Sequence, residues 1–198
     1  MSDNSAIAAV TATLKYLLDN GLADASRNKS GISKVTTLAP GLLKGDAEIG
    51  LNLFLYHVAE NPNLRNMKLP DRHRPGLVVT SPLALDLFYI LTAYGNKDFE
   101  SELLLGCAVQ IMHENQVLTR ETIRSALHTS SSPTEPLWFS SSNLAEQVER
   151  IRVVPQAMGT EEMFWLWSAF QAGYRLSMAY QASMVLIGGA QPAAASTP

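Results

Sequence analysis

The side chains that most often perform chemistry in proteins are few in this sequence and stand far apart. There are four histidines, and their spacing fits no metal-ligand pattern: His57, His73, His113 and His128. His113-Glu114 begins like the H-E-x-x-H zinc motif, but position 117 is a valine where the second ligand must stand. We therefore predict ordinary structural or surface roles for the histidines and expect neither a metal nor a cofactor.

Cys107 is the only cysteine, so it cannot form an internal disulfide. Its neighbours on a predicted helix, Leu104, Ala108 and Ile111, are apolar, whereas a reactive thiolate needs positive charge beside it. We predict an unreactive core cysteine in a protein that folds in a reducing compartment, the cytoplasm.

Asp86 is the more unusual acid, because it lies inside an apolar segment, where a carboxylate is costly unless it is paired. Arg175 or an arginine of residues 63–82 would pair with it, and a role as a catalytic acid is the rarer alternative. The sequence has no G-x-S-x-G, G-x-G-x-x-G, P-loop or C-x-x-C motif. No catalytic residue is predicted, and we do not expect an enzyme.

The composition indicates a protein that is partly covered by other protein. Of its 198 residues 46% are hydrophobic and only 17% are charged, against about 25% charged in ordinary domains. This favours an oligomer over a sticky monomer. The net charge of −3 argues against nucleic-acid binding. The sequence shows neither a membrane-spanning apolar run nor a signal peptide. The length fits one domain, residues 1–188, followed by a flexible tail, residues 189–198.

The segment 82–94, PLALDLFYILTAY, is the element that must organise the others. With a period of two, both of its faces are largely apolar, as in a central strand that is covered on both sides. With a period of 3.6 it also forms one apolar stripe, so a buried helix is the alternative. We favour the strand because the other well-patterned strands need a centre with which to pair.

Helices and strands are predicted on both sides of this segment. The helices are Ser5–Leu18, Asp98–Glu114, residues 119–127 with Thr119 as N-cap, and Glu161–Gln171. The strands are Ile32–Leu38, Leu51–Glu60, Glu149–Val154 and Tyr174–Ile187. Asn20-Gly21 and Gly173 are predicted to end two helices. Periodicity places His57 on the same face as Leu55, and Leu103 on a buried stripe.

The strand 174–187 is long enough to reach beyond a compact domain. Its fourteen residues span about 46 Å, whereas a domain of this size is about 42 Å across. A projecting edge invites strand addition by another chain, which makes Arg175 and Gln181 candidate partner contacts. Trp165 lies off the apolar stripe of its helix, so it either covers a neighbouring subunit or adds local packing.

Residues 63–82 form a long connection that is rich in basic residues. Its bases include Arg65, Lys68, Arg72 and Arg74. Such a run is ordinarily a solvated loop, but long loops in compact domains are often functional. We therefore also consider these four residues as partner contacts.

Several stretches together resemble a known family. They are residues 51–66 (LNLFLYHVAENPNLRN), 82–95 (PLALDLFYILTAYG), 102–118 and 144–187. The pattern L-Y-H-V-x-x-N-P-x-L-R-N, then P-L-A-L-D-L-x-Y and W-S-x-F-Q-x-x-Y-R-L-S, is similar to the N-terminal domain of cap, or tail-terminator, proteins of phage-tail-like contractile injection systems. The resemblance covers about residues 5–188.

The resemblance implies an α/β (α+β) fold with a mixed, mainly antiparallel sheet flanked by helices, similar to phage tail terminators. It also implies a homo-hexameric ring at the end of the particle distal to the baseplate. There the ring would end growth of the inner tube and join the last ring of the sheath. The particle would be assembled in the cytoplasm and can be released from the cell.

These implications suggest a mechanism. The ring would close head to tail, sheath subunits would pair with an exposed edge of residues 174–187, and the basic segment would steer an acidic partner surface. The alternatives are an adaptor that links the tube end to a cellular anchor and, as a separate class, an enzyme with an unrecognised site.

Overall fold

A computed structural model describes residues 5–26, 34–43, 50–63, 83–129, 144–147 and 149–188. The strands are β1 (Lys34–Thr36), β2 (Gly50–Glu60), β3 (Leu83–Tyr94), β4 (Arg152–Pro155) and β5 (Ser177–Ile187). The helices are α1 (Ala6–Ser26), α2 (Glu100–Glu114), α3 (Arg120–Thr129) and α4 (Thr160–Ala169). Short 3-10 turns occur at Pro40–Leu42 and Leu144–Glu146. The predicted α/β fold class is confirmed.

The strands form one sheet in the order β1-β2-β3-β5-β4, and within it only β1 and β2 run parallel. The segment 82–94 is therefore a central strand, as predicted, and not a helix. Apart from Leu83 and the half-buried Phe88, every side chain of β3 is buried. Apolar side chains point to both faces of this strand, so burial of these side chains requires both faces to be covered.

The main hydrophobic core lies between one face of the sheet and helices α1, α2 and α3. Strands β2, β3 and β5 each contribute alternate side chains to this core, and each of these helices contributes an apolar stripe. The fully buried members include Leu14, Leu18, Leu51, Leu53, Leu87, Leu91 and Tyr180. Among the described residues, no helix is long and apolar enough to cross a lipid bilayer.

Tyr89 places a hydroxyl group inside this core. The hydroxyl lies 2.9 Å from Thr11 Oγ1, and Thr11 in turn donates a hydrogen bond to the carbonyl oxygen of Ile7. Since Thr11 uses its proton there, Tyr89 is the donor to Thr11. Burial raises the pKa of Tyr89 far above its usual value.

Tyr89→Phe is expected to weaken the loss of stability at alkaline pH. Because the pKa of Tyr89 is raised in the folded state, its contribution is complete below about pH 10 and falls by about 1.4 kcal/mol per pH unit above it. The variant lacks this loss but gives up about 1 kcal/mol at pH 7 with the hydrogen bond. Urea unfolding between about pH 7 and 11 measures both effects, and an unchanged alkaline slope would contradict the assignment.

Helix α1 is longer than predicted, since the expected end at Asn20-Gly21 is wrong. The helix continues to Ser26, and Leu22 is buried. A Cβ atom on Gly21 would lie 2.5 Å from Ile111 Cδ1, so the glycine lets α2 approach closely. This packing maintains a helix that a central glycine would weaken by about 1 kcal/mol.

Helix α2 begins at Glu100, two residues later than predicted, because Phe99 has a φ of 65°. The Glu100 carboxylate accepts hydrogen bonds from the backbone N–H groups of Asn96 and Lys97. Leu103 was predicted to be buried and is instead 60% exposed. Residues 103–105 are three consecutive leucines, and tertiary packing turns the other two towards the core.

The Thr119 N-cap of α3 is confirmed, because the Thr119 hydroxyl oxygen accepts a hydrogen bond from the Thr122 N–H group.

A β-bulge at Tyr56 exchanges the two faces of the sheet to which the later side chains of β2 point. Leu55 opposes Tyr89, whereas His57, two residues further on, opposes the adjacent Phe88. His57 therefore lies on the second face of the sheet, and the predicted common face of His57 and Leu55 is wrong. One inserted residue inverts an alternation of period two.

The outer side of β5 is not an open edge. The strand begins at Ser177, three residues later than predicted, and β4 pairs with residues 180–183. Beyond β4, the Gln147 side chain donates to the Met184 carbonyl oxygen at 3.1 Å and accepts from the Leu186 N–H group at 3.4 Å. The prediction of an exposed β5 edge is therefore wrong where β4 and Gln147 cover it. Strand β4 itself spans Arg152–Pro155, shorter than the predicted Glu149–Val154.

Candidate functional site

The second face of the sheet carries α4 and a smaller apolar cluster, separate from the main core. Ile90, Ala179 and Trp167 are each at most 2% exposed, yet none of them belongs to the main core. The Phe54 ring meets the Phe170 ring edge to face, with the ring centroids 5.4 Å apart. These contacts seat α4 over the half of the sheet that ends at Tyr94.

Helix α4 spans Thr160–Ala169, close to the predicted 161–171, but different residues limit it. Gly159 is the N-cap, and its N–H group donates to the Glu162 carboxylate at 2.8 Å. At the other end, Gln171 has a φ of 53°, so the helix ends before the predicted Gly173.

A chain of aromatic rings connects α4 to the loop after it. Trp167 lies 5.8 Å from Phe170 and 6.0 Å from Tyr174, both edge to face. Arg175 places its guanidinium 4.7 Å from the centre of the Tyr94 ring. Such cation–π contacts contribute about 0.5–2 kcal/mol, depending on their exposure. The loop is therefore held to the sheet by ring contacts.

A groove of about 470 Å³ runs beside α4, and its lining includes Met158, Met163, Phe164, Trp167 and Tyr174. The Trp167 indole N–H is buried and has no hydrogen-bond partner among the described residues. A buried donor without a partner is uncommon in native proteins and calls for an explanation.

The surface around this groove is unusually apolar for a single chain. Phe164, Trp165 and Tyr174 are 62%, 63% and 65% exposed. The Phe164 and Trp165 rings lie 5.7 Å apart, edge to face. Together with the exposed Glu161 and Glu162, these three aromatic residues define what we call the α4 surface. A large exposed apolar patch of this kind is typical of a protein-binding site.

The described residues that were considered for catalysis do not come together. His57 stacks on Phe88 with the ring centroids 5.2 Å apart, and His113 shares a hydrogen bond with Gln116. Cys107 is half-buried and packs against the main core. The part of the chain that the structure describes holds no group of three His, Cys, Asp or Glu residues that could bind a metal. His73 lies outside the described residues.

Asp86 is paired, but not with the predicted Arg175. Asn61 Nδ2 donates to Asp86 Oδ1 at 2.8 Å, and both side chains are buried. Arg175 lies instead over Tyr94, at the other end of β3. The prediction of Arg175 is wrong because β5 starts at the Tyr94 end of β3, which places Arg175 far from Asp86. The alternative, an arginine of residues 63–82, lies outside the described residues.

Three of the predicted partner contacts fall on described residues. Trp165 is exposed, Arg175 is half-buried, and Gln181 is half-buried between β3 and β4. The structure does not describe the other four predicted contacts, Arg65, Lys68, Arg72 and Arg74.

Two exposed aromatic residues, Phe164 and Tyr174, were not predicted as partner contacts from the sequence. The signal was present in the run F-W-L-W at 164–167, since a short helix cannot turn so many large rings towards one sheet.

The family follows from comparison with known proteins. The sequence model of the Pvc16 N-terminal domain matches residues 9–198. The chain belongs to this family. No curated protein matches it. The family and the fold that the sequence motifs indicated are both confirmed.

Two solved structures are similar to this Pvc16 N-terminal domain. The first is a cryo-EM structure of an extracellular contractile injection system, described as the PVC sheath/tube terminator in the extended state. It has 16% identity and a TM-score of 0.55, over 100% of this chain and 64% of that chain. The second is the cryo-EM structure of the anti-feeding prophage cap, described as the AFP tube-terminating cap. It has 12% identity and a TM-score of 0.48, over 90% of this chain and 59% of that one. The chain thus spans less than two thirds of the length of either structure.

Proposed function

We propose that this protein is a structural cap of a contractile injection system. It ends polymerisation of the inner tube and sheath and holds the distal end of the sheath. The observation that carries the proposal is the α4 surface, an exposed aromatic patch on a Pvc16 N-terminal domain. The similar fold of a protein described as a sheath/tube terminator supports it.

The cap works by geometry. A growing tube or sheath ends in a ring whose binding surfaces are unfilled, and each added ring recreates the same end. A cap copy that fills those surfaces, and does not offer the next subunit the same surfaces, stops addition. For this role the protein assembles in the cytoplasm as a homo-hexamer matched to the polymer end, and the capped particle can be released from the cell.

The exposed rings support self-association. Phe164, Trp165 and Tyr174 stay in water in an isolated copy, and burying such side chains is favourable by about 25 cal/mol per Å² of apolar surface. A ring formed by head-to-tail contacts buries the same patch on every copy and closes without leaving a free end. No catalytic step enters this role, and we propose a non-enzymatic protein.

Disruption of the gene in a particle-producing cell tests the proposal. We expect tubes and sheaths of greater and more variable length by electron microscopy, with normal length restored by the intact gene. Normal lengths in the disrupted strain would contradict a terminator and favour the adaptor. Native mass spectrometry of the purified protein tests the ring, and a monomer at every concentration would contradict it.

A further inference from the structure

The stretch around α4 carries only acidic charge. From Val153 to Tyr174 its charged residues are Glu161 and Glu162, and both are exposed. Burial raises the pKa of Tyr56 on β2, and the negative charge of the Glu162 carboxylate raises it further by a smaller amount. The α4 surface therefore combines negative charge with exposed aromatic rings.

This combination suits arginine and lysine. The exposed faces of Phe164 and Trp165 attract a guanidinium or ammonium group, and carboxylates beside them add ordinary charge attraction. Arg175 over Tyr94 shows the same pairing within this chain, and its guanidinium is thereby already engaged. The groove adjoining the rings, with Met158 and Met163, suits apolar side chains.

Residues 64–74 of the sequence have the complementary chemistry. Residues 64–74, LRNMKLPDRHR, have four bases and one acid, Asp71. The bases alternate with Leu64, Met67 and Leu69, so the segment offers both cations and apolar side chains.

We infer that the α4 surface of one copy binds the basic segment, residues 64–74, of a second copy of this chain. The inference rests on the proposed function, because it names the contact that closes the ring. In this inference, the acidic surface that the basic segment binds lies on another copy of the same protein.

The positions of the α4 surface and of the described residues that flank the basic segment favour contact between copies. The basic segment lies between Asn63 and Leu83, which stand where β2 ends and β3 begins. The α4 surface belongs to the other half of the sheet, near Tyr94. Contact between opposite ends of two copies is head to tail, and repetition of such a contact generates a ring.

Two reversed variants test the contact. One carries E161K and E162K, and the other carries R65E, K68E, R72E and R74E. Like charges then face each other in each variant alone, so we expect assembly to weaken by about 10- to 100-fold in native mass spectrometry. In a 1:1 mixture each surface meets its opposite charge, and we expect rings of alternating copies to return. Raised salt should weaken assembly.

Glu162 also caps α4, so a second variant separates folding from binding. F164S with W165S leaves the cap bond intact and removes the rings, and we expect the same loss of assembly with unchanged thermal unfolding. The matched control is E102K with E121K, which reverses two exposed acids on α2 and α3 and should assemble like the wild type.

The outcomes are distinct. Reversed variants that assemble like the wild type, or a mixture that stays dissociated, would overturn this contact and leave the proposed cap intact. A wild-type protein that stays monomeric at every concentration and does not limit particle length would overturn both.

Discussion

Leu91→Ala is expected to lower the free energy of unfolding by about 3–5 kcal/mol, the largest effect of any single truncation proposed for this protein. Leu91 is 0% exposed on β3, where it stands between Leu53 and Met178 on the neighbouring strands. Removing its three terminal carbons leaves a cavity that rigid strands on both sides cannot close. Urea unfolding at pH 7 measures the loss.

The matched control is Leu103→Ala on α2. Leu103 is 60% exposed although its sequence pattern predicts burial. We expect a change of about 0.5 kcal/mol or less, because little apolar surface returns to water. Similar losses for the two variants would mean that the rotation of α2 about its axis is different from the one described.

Asn61→Asp is expected to destabilise the fold by about 2–4 kcal/mol, the second largest effect. The Asn61 amide donates to the buried Asp86 carboxylate, and the variant replaces this donor with a second carboxylate of the same shape. Asn61 Oδ1 also accepts a bond from the Asn63 N–H group, which the aspartate can retain. The loss therefore reports on the donor to Asp86.

The exchanged double variant, N61D with D86N, is the control for this pair. It restores one amide and one carboxylate in the same place, so we expect it to recover at least half of the lost stability. A double-mutant cycle at pH 7 measures the coupling, which should exceed about 1 kcal/mol for side chains in contact. Additive losses would show that the two side chains do not depend on each other.

The Asp86 pair also explains why Arg175 was the wrong partner. A carboxylate in an apolar segment requires a donor, and sequence can state that requirement. The donor itself is set by strand register: bulges in β2 and β5 on either side of Asp86 bring Asn61 to it. Met184, in the β5 bulge, has a φ of 70° and shows how far the backbone departs from a regular strand there.

The α4 surface likewise has one feature that the sequence indicates and another that only the packing sets. The run F-W-L-W has more large rings than one helix face can bury, so its sequence already indicates that some rings are exposed. Which rings face solvent depends on the seating of Trp167 and Phe170 against Phe54 and the sheet. The buried Trp167 N–H, for which the described residues supply no partner, is a property of that packing and has no sequence signature.

Sequence alone determined the family, the fold class and the position of the central strand β3. These depend on patterns between residues close along the chain: the period-two apolar alternation, the Thr119 cap and the motif spacing. Only the tertiary structure decided that α1 passes through Gly21, that β4 covers β5, and that α4 turns its rings outward. Each of these depends on partners far away in sequence, whose packing energy outweighs the weaker local preference.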